Sequence, residues 1–150
     1  MKAVVQRVTG ASVTISGELR SSIGHGLLVL LGIGEDDGAE DIEWLVRKIS
    51  GLRIFDDADG VMNLSVMDTD GEVLVVSQFT LMASCKRGNR PSYVAAAGHG
   101  IAIPLDEQFC SSLSQAIGKK VPTGEFGAMM DVSLINDGPV TILLDSEKAF

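Results

Sequence analysis

Aromatic residues are scarce in this chain of 150 residues, at 5%, so its core must be built mainly from Val, Leu, Ile, Ala and Met. Cysteine is rarer still. Cys85 and Cys110 are the only two and have no CxxC spacing, which excludes a disulfide framework and reads as two reduced thiols of a cytosolic protein. Two histidines, His25 and His99, each lie in a Gly-flanked turn with no acid or thiol beside them. They give no sequence signature for a zinc site or a His-based catalytic triad. Neither GxGxxG nor GxxxxGK[ST] occurs, so dinucleotide and P-loop readings lack their phosphate cradle. The glycine pairs at Gly24–Gly26, Gly32–Gly34 and Gly98–Gly100 have the wrong spacing and read as turns. The run Asp56-Asp57-Ala58-Asp59-Gly60 lacks a Glu at EF-hand spacing and reads as a hairpin turn with solvated carboxylates.

Long apolar runs are missing as well. The best uncharged stretch, Ser21–Gly34, is too short and too broken by glycine for a membrane span. The opening MKAVVQRVTG carries Lys2 and Arg7 and no apolar signal core, so the expected location is cytoplasmic, without a membrane partner. Basic residues are outnumbered, 12 Lys and Arg against 20 Asp and Glu, for a net charge of −8. A general positive field for coating nucleic acid is thereby excluded, and any nucleic-acid partner has to be held by a local basic patch.

What is present points to an ordered globular chain. Apolar residues make up 45% and charged residues 21%, and the length suits one domain over residues 1–150. Lys2–Thr9, Ser12–Ser16 and Ile23–Ile33, the last with the run Leu27–Leu31, read as strands separated by turn signals, hence an antiparallel meander. Between Ala39 and Ser50 the period changes. Ile42, Leu45, Val46 and Ile49 fall on one helical face, with acids at the start, Arg47 and Lys48 at the end, and Gly51 as a stop. Leu52–Phe55 and Glu72–Ser77 read as further strands, and the run Val73–Val76 suits a central, doubly covered position. Pro91–Ala97 reads as a short helix ended by Gly98, and Asp106–Ile117 as a longer one ended by Gly118. Val132–Ile135 and Val140–Leu144 are strands joined through a turn at Asn136–Pro139. The expected fold is a mixed α/β, α+β-like domain of about eight strands and two or three helices, with a mostly antiparallel, barrel-like strand layer.

Three segments carry candidate chemistry. Ser77-Gln78-Phe79-Thr80-Leu81 puts polar residues where a buried strand ends and a loop opens, a common place for a binding site. Lys86-Arg87-Gly88-Asn89-Arg90-Pro91 is the densest basic cluster of an acidic chain. Asn136-Asp137-Gly138-Pro139-Val140-Thr141 places Gly–Pro between two strands, where statistics alone favour a trans bond, cis occurring in ~5–6% of X–Pro bonds. Together with TGEFGAMM at 123–130, the opening MKAVVQRVTGASVTI and RIFDDADGVMNLSV at 53–66, these segments resemble the D-aminoacyl-tRNA deacylase family from end to end.

The resemblance implies a cytoplasmic homodimeric esterase that removes D-amino acids from the 3′ end of tRNA, with no metal or organic cofactor. It implies a cis Gly138–Pro139 bond that reaches into the partner's site, facing Ser77, Gln78, Phe79 and Thr80 and selecting chirality. Backbone N–H groups of Phe79 and Thr80 would stabilise the oxyanion, and the substrate's own 2′-hydroxyl would handle the proton. The Thr80 hydroxyl is the rival nucleophile, although no base or terminal amine stands beside it in the sequence. Lys86, Arg87 and Arg90 would contact tRNA phosphates. Two other readings stay open: a same-fold deacylase with trans Gly–Pro that accepts small L-amino acids, and a non-catalytic dimeric nucleic-acid-binding module.

Overall fold

A computed structural model describes residues 1–150. Strand β1 (Lys2–Ile15) turns into β2 (Glu18–Ile23), which continues into β3 (Gly26–Gly32). Helix α1 (Ala39–Gly51) and a small ribbon of β4 (Phe55–Asp56) and β5 (Met62–Leu64) come next. Strand β6 (Glu72–Ser77), a 3-10 turn (Phe79–Met82), helix α2 (His99–Ile117) and strand β7 (Asp131–Asp145) complete the chain.

β1 is paired on both edges. On one edge its second half pairs antiparallel with β2 and its first half with β3, and β7 runs antiparallel along the other edge over the whole length. β6 joins β3 in parallel. Beyond β6 the segment 122–124 adds a partial rung: Val75 N–H donates to Pro122 O at 3.0 Å and Gly124 N–H to Val75 O at 3.3 Å. Ser21 Oγ in turn donates to Thr123 O at 2.8 Å, so the segment bridges β6 back to β2 and the sheet curls into a half-barrel.

Alternating side chains divide the interior into two cores. Ala3, Val5, Leu27, Val29, Val73 and Val75 pack with Ile42, Leu45 and Ile49 of α1 and Phe109 and Leu113 of α2. Val8, Ala11, Val13, Leu28, Leu74 and Val76 pack on the opposite face, inside the curl. The apolar run of β6 is doubly covered, as its composition implies, but it ends the strand order instead of lying at its centre.

The mixed fold with a mostly antiparallel, curled sheet is the expected one, and five local assignments need correction. The expected break at Thr9–Gly10 is absent, because a register irregularity between Val8 and Gly10 lets β1 run on while it stays bonded to β7. The two C-terminal strands likewise fuse into β7, which leaves seven strands in all. Leu52–Phe55 is a strand only at its last residue. Pro91–Ala97 is not helical: Ser92 pairs with Ser84 and Ala96 with Gly34, so backbone pairing across the fold overrides a weak local preference. Helix α2 starts at His99, with Gly98 as its N-cap and Pro104 inside it. Gly100 and Pro104 are poor helix residues, and they hid its first two turns.

Two features of this packing give measurable consequences. In α2, Asp106 Oδ1 has no hydrogen-bond partner. Burial, then the charge of Glu107, pushes its carboxyl up to about 6 from 3.8. The same burial, with Asp106 adding to it, pushes the Cys110 thiol up to about 12, so it stays protonated and inert. A carboxyl whose folded pKa is raised favours the folded state while neutral, and that contribution disappears as pH climbs from about 4 to about 6. Asp106→Asn is therefore expected to raise stability at pH 7 by about 1–2 kcal/mol, allowing for partial solvent screening, and to flatten the stability profile between pH 4 and 6. Denaturant melts at several pH values check this.

Gly32, expected in a turn, ends β3 where the 3-10 turn lies on top of it. A Cβ there would come within 2.9 Å of Leu81 Cβ and 3.1 Å of Gln78 O. Gly32→Ala should lower stability by about 1–3 kcal/mol through overpacking, read as a drop in Tm, whereas Gly51→Ala, in open space, should not.

Candidate active site

The last residue of β6, Ser77, pairs with Leu31, and Gln78 N–H closes the ladder with a 2.7 Å bond to Leu31 O. The chain then tightens into the 3-10 turn, whose i→i+3 bonding starts when Leu81 N–H donates to Gln78 O at 3.1 Å. The N–H groups of Phe79 and Thr80 precede that bond. They are the first-turn donors that a helical segment leaves outside its own ladder. Gln78 Nε2 is hydrogen-bonded to Thr80 Oγ1. An amide is no general base, so the hydroxyl is oriented by this contact without being activated by it.

The basic loop is fastened beside this turn. Reciprocal 2.9 Å backbone bonds between Ser84 and Ser92 close the loop that carries Lys86, Arg87 and Arg90. Tyr93, just past the closure, stands edge-on to Phe79 with ring centroids 5.2 Å apart. Both rings are about half exposed, Phe79 at 52% and Tyr93 at 42%. None of the three loop cations forms an ion pair within the chain, and Cys85 beside them is exposed.

Gly138 and Pro139 sit elsewhere. Gln6 pairs with Thr141 and Val8 with Asn136, so the one residue Arg7 is opposed by the stretch Asp137–Val140. The excess bulges outward, and Gly138 and Pro139 are exposed. Two side chains hold the bulge at its base. Asn136 Nδ2 donates to Arg7 O at 2.9 Å and to Val140 O at 3.0 Å, tying both ends together. The buried Arg7 guanidinium donates to Ile54 O at 2.7 Å and lies 3.1 Å from Asp137 Oδ2. Gly138 has φ +115, and a Cβ on it would approach Arg7 Nη2 to 2.8 Å. The Gly138–Pro139 bond is cis, the isomer implied by the family resemblance and opposite to the statistical preference.

The structure thus gathers Ser77, Gln78, Phe79 and Thr80 with the Lys86–Arg90 loop, and within one chain keeps Gly138 and Pro139 apart from them. Ser77 is level with Leu31 and Arg7 with Leu27, four rungs or ~13 Å along the sheet. Sequence reading passed over Arg7, whose charge in the middle of an apolar strand was the one available signal, and over Gly32, read as a turn. His25 and His99 are edge-on partners of Phe55 and Phe126 at 5.3 and 5.4 Å.

Comparison with known proteins follows the same outline. The profile of the family described as D-Tyr-tRNA(Tyr) deacylase matches residues 4–145. A D-aminoacyl-tRNA deacylase of Bacteroides thetaiotaomicron is 60% identical over 148 residues, and one of Porphyromonas gingivalis is 63% identical, each match covering 99% of both chains. Among solved structures, one titled c-Myc DNA Unwinding Element Binding Protein superposes with a TM-score of 0.92 at 46% identity, covering 97% of this chain and 98% of that one. A probable eukaryotic D-amino acid tRNA deacylase shares the fold at a TM-score of 0.80 and 16% identity, covering 95% and 97%. With its length matched almost throughout, the chain belongs to the D-aminoacyl-tRNA deacylase family of hydrolases.

Proposed function

We propose that residues 1–150 act as one deacylase domain that hydrolyses the ester of D-aminoacyl-tRNA, and of glycyl-tRNA, to free amino acid and tRNA while leaving L-aminoacyl-tRNA intact. The observation that carries this reading is the 3-10 turn itself. Two backbone donors at a strand end stand beside a loop of unpaired cations, with no activated side-chain nucleophile among them. An aminoacyl ester is already reactive, so a positioned water and a stabilised oxyanion suffice. Water adds to the carbonyl carbon, the charge on the oxygen is met by the Phe79 and Thr80 N–H groups, and the 3′-oxygen departs with a proton. The neighbouring 2′-hydroxyl of the substrate relays that proton. Each backbone donor is worth about 2.7–4 kcal/mol of barrier in such a role.

Chirality is assigned to Gly138 and Pro139, acting across a homodimer. Their exposure and their distance from Ser77 in the same chain support a site completed by a second protomer. So do Ile135 and Leu143, apolar residues exposed at 67% and 54% along β7. With amino group and ester held, an L side chain is aimed into the Gly–Pro bulge and a D side chain into open space. Glycine, having no side chain, passes. Lys86, Arg87 and Arg90 are assigned to tRNA phosphates.

A second reading has one observation in its favour: the 46% identical structure bears the name of a DNA-binding protein. A non-catalytic binding module would keep the cationic loop and hydrolyse nothing. Purified protein given matched D-Tyr-tRNA and L-Tyr-tRNA without added metal is expected to release tyrosine from the D ester alone. Equal release from both would remove the chiral filter assigned to Gly138 and Pro139, and no release from either would favour the binding module. Thr80→Ala is expected to keep kcat within about tenfold, since removal of a true nucleophile costs ~10⁶ in a serine hydrolase; a loss on that scale in single-turnover assays would make Thr80 the nucleophile.

A further inference from the structure

An ordinary bulge sets two residues of one strand against one of its neighbour. In β7 the stretch Asp137, Gly138, Pro139 and Val140 faces Arg7 alone, between the rungs Gln6–Thr141 and Val8–Asn136. Arg7 therefore has no register partner in β7. A break of this size in a paired sheet has to be bridged by something other than the ladder. Pro139 has no N–H to give.

The bridge is one side chain. Asn136 Nδ2 donates to Arg7 O at 2.9 Å on the opposite strand, and to Val140 O at 3.0 Å at the far end of the bulge. Thr141 Oγ1 donates to Asn136 Oδ1 at 3.4 Å. Both hydrogens of the amide nitrogen are used, and so is the amide oxygen. Turned over, the group would set its oxygen against two carbonyl oxygens. The demand on residue type is narrow. Ionised Asp has the shape and no donor, Ser and Thr have one donor each, and Gln places the same amide one carbon further out.

Arg7 acts on the bulge in another way. Its guanidinium reaches Ile54 O and Asp137 and fills the space beneath Gly138, where a Cβ would meet Nη2 at 2.8 Å. It supports the bulge from below without joining its two ends. Asn136 joins them, being itself one end and bonded to the other at Val140. Without that tie, the exposed Gly138 and Pro139 stand on a loop open at its neck.

A filter that works by exclusion is only as good as the position of its wall, and a misplacement of ~1 Å can change a rate by about 10². We infer that Asn136 is a specificity-determining residue. It touches no substrate and acts as a positioning residue, setting the ratio of L- to D-ester hydrolysis by fixing where Gly138 and Pro139 stand. The assignment rests on the reading of those two residues as the chiral filter, and adds the side chain on which that filter depends.

The test compares Asn136→Asp, Asn136→Ala and Pro139→Ala in the full chain, on D-Tyr-tRNA, L-Tyr-tRNA and glycyl-tRNA. Asn136→Asp keeps the shape and sets a carboxylate against two carbonyl oxygens. Asn136→Ala opens the neck without repulsion, and carries the test if the Asp variant does not fold. In both, the L-to-D ratio of kcat/KM should rise by about tenfold or more. Glycyl-tRNA, with no side chain to exclude, should follow the D ester and not the L ester. A role in stability alone would lower all three activities together and leave the ratio where it was, which would overturn the proposal. Pro139→Ala tells the two kinds of failure apart. If it raises the ratio and the Asn136 variants do not, the filter stands and Asn136 is not its positioning residue. If none of the three moves the ratio, the chiral role of Gly138 and Pro139 fails, and this assignment with it.

Discussion

One strand with both edges occupied organises this molecule. Because β1 bonds to β2 and β3 on one side and to β7 along the other, every irregularity in its neighbours is referred to a common ruler. Its side chains also serve both interiors: Ala3 and Val5 enter the core under the helices, and Val8, Ala11 and Val13 the core inside the curl. The irregular register between Val8 and Gly10 makes that exchange of faces possible, since one inserted residue reverses the alternation of a strand. The outward bulge of β7 exists only because Arg7 is the single rung opposite it.

The candidate centre is accordingly a product of backbone placement more than of side-chain chemistry. The donors at Phe79 and Thr80 are located by where β6 stops, by the bond from Gln78 to Leu31, and by the bare face of Gly32. Arg7 and Asn136 play the matching part under Gly138 and Pro139, closing the base of the bulge with hydrogen bonds to main-chain oxygens. Buried polar groups held by such bonds specify one local arrangement, which is what a geometric filter needs.

How much of this was legible in the sequence follows from the range of each interaction. Helix α1 was plain because its apolar period, its acidic start and its basic end are all local. The run at Val73–Val76 announced burial on both faces, although its place at the end of the strand order depends on pairing with β3, and the cover of its outer edge on segment 122–124, far away in the chain. The first two turns of α2 were hidden by Gly100 and Pro104, and the extended course of Pro91–Ala97 by its alanines, since in both cases distant packing decides the outcome. Residues 77–80, 86–90 and 138–139 stood out as motifs and through family resemblance. The two residues that hold them, Arg7 and Gly32, were silent, because a charge in an apolar strand or a glycine near a turn acquires meaning only when its neighbours are known.

The unpaired cations of the Ser84–Ser92 loop also bear on how a polyanion would meet this surface. A molecule carrying eight net negative charges repels such a partner from most directions. Only an approach that presents the partner to the loop finds an attractive field, and that field reaches no further than ~8 Å at physiological ionic strength. Electrostatics here would do little to gather partners from bulk solution. It would sort their orientations instead, so that collisions which lead anywhere begin already turned toward the 3-10 turn.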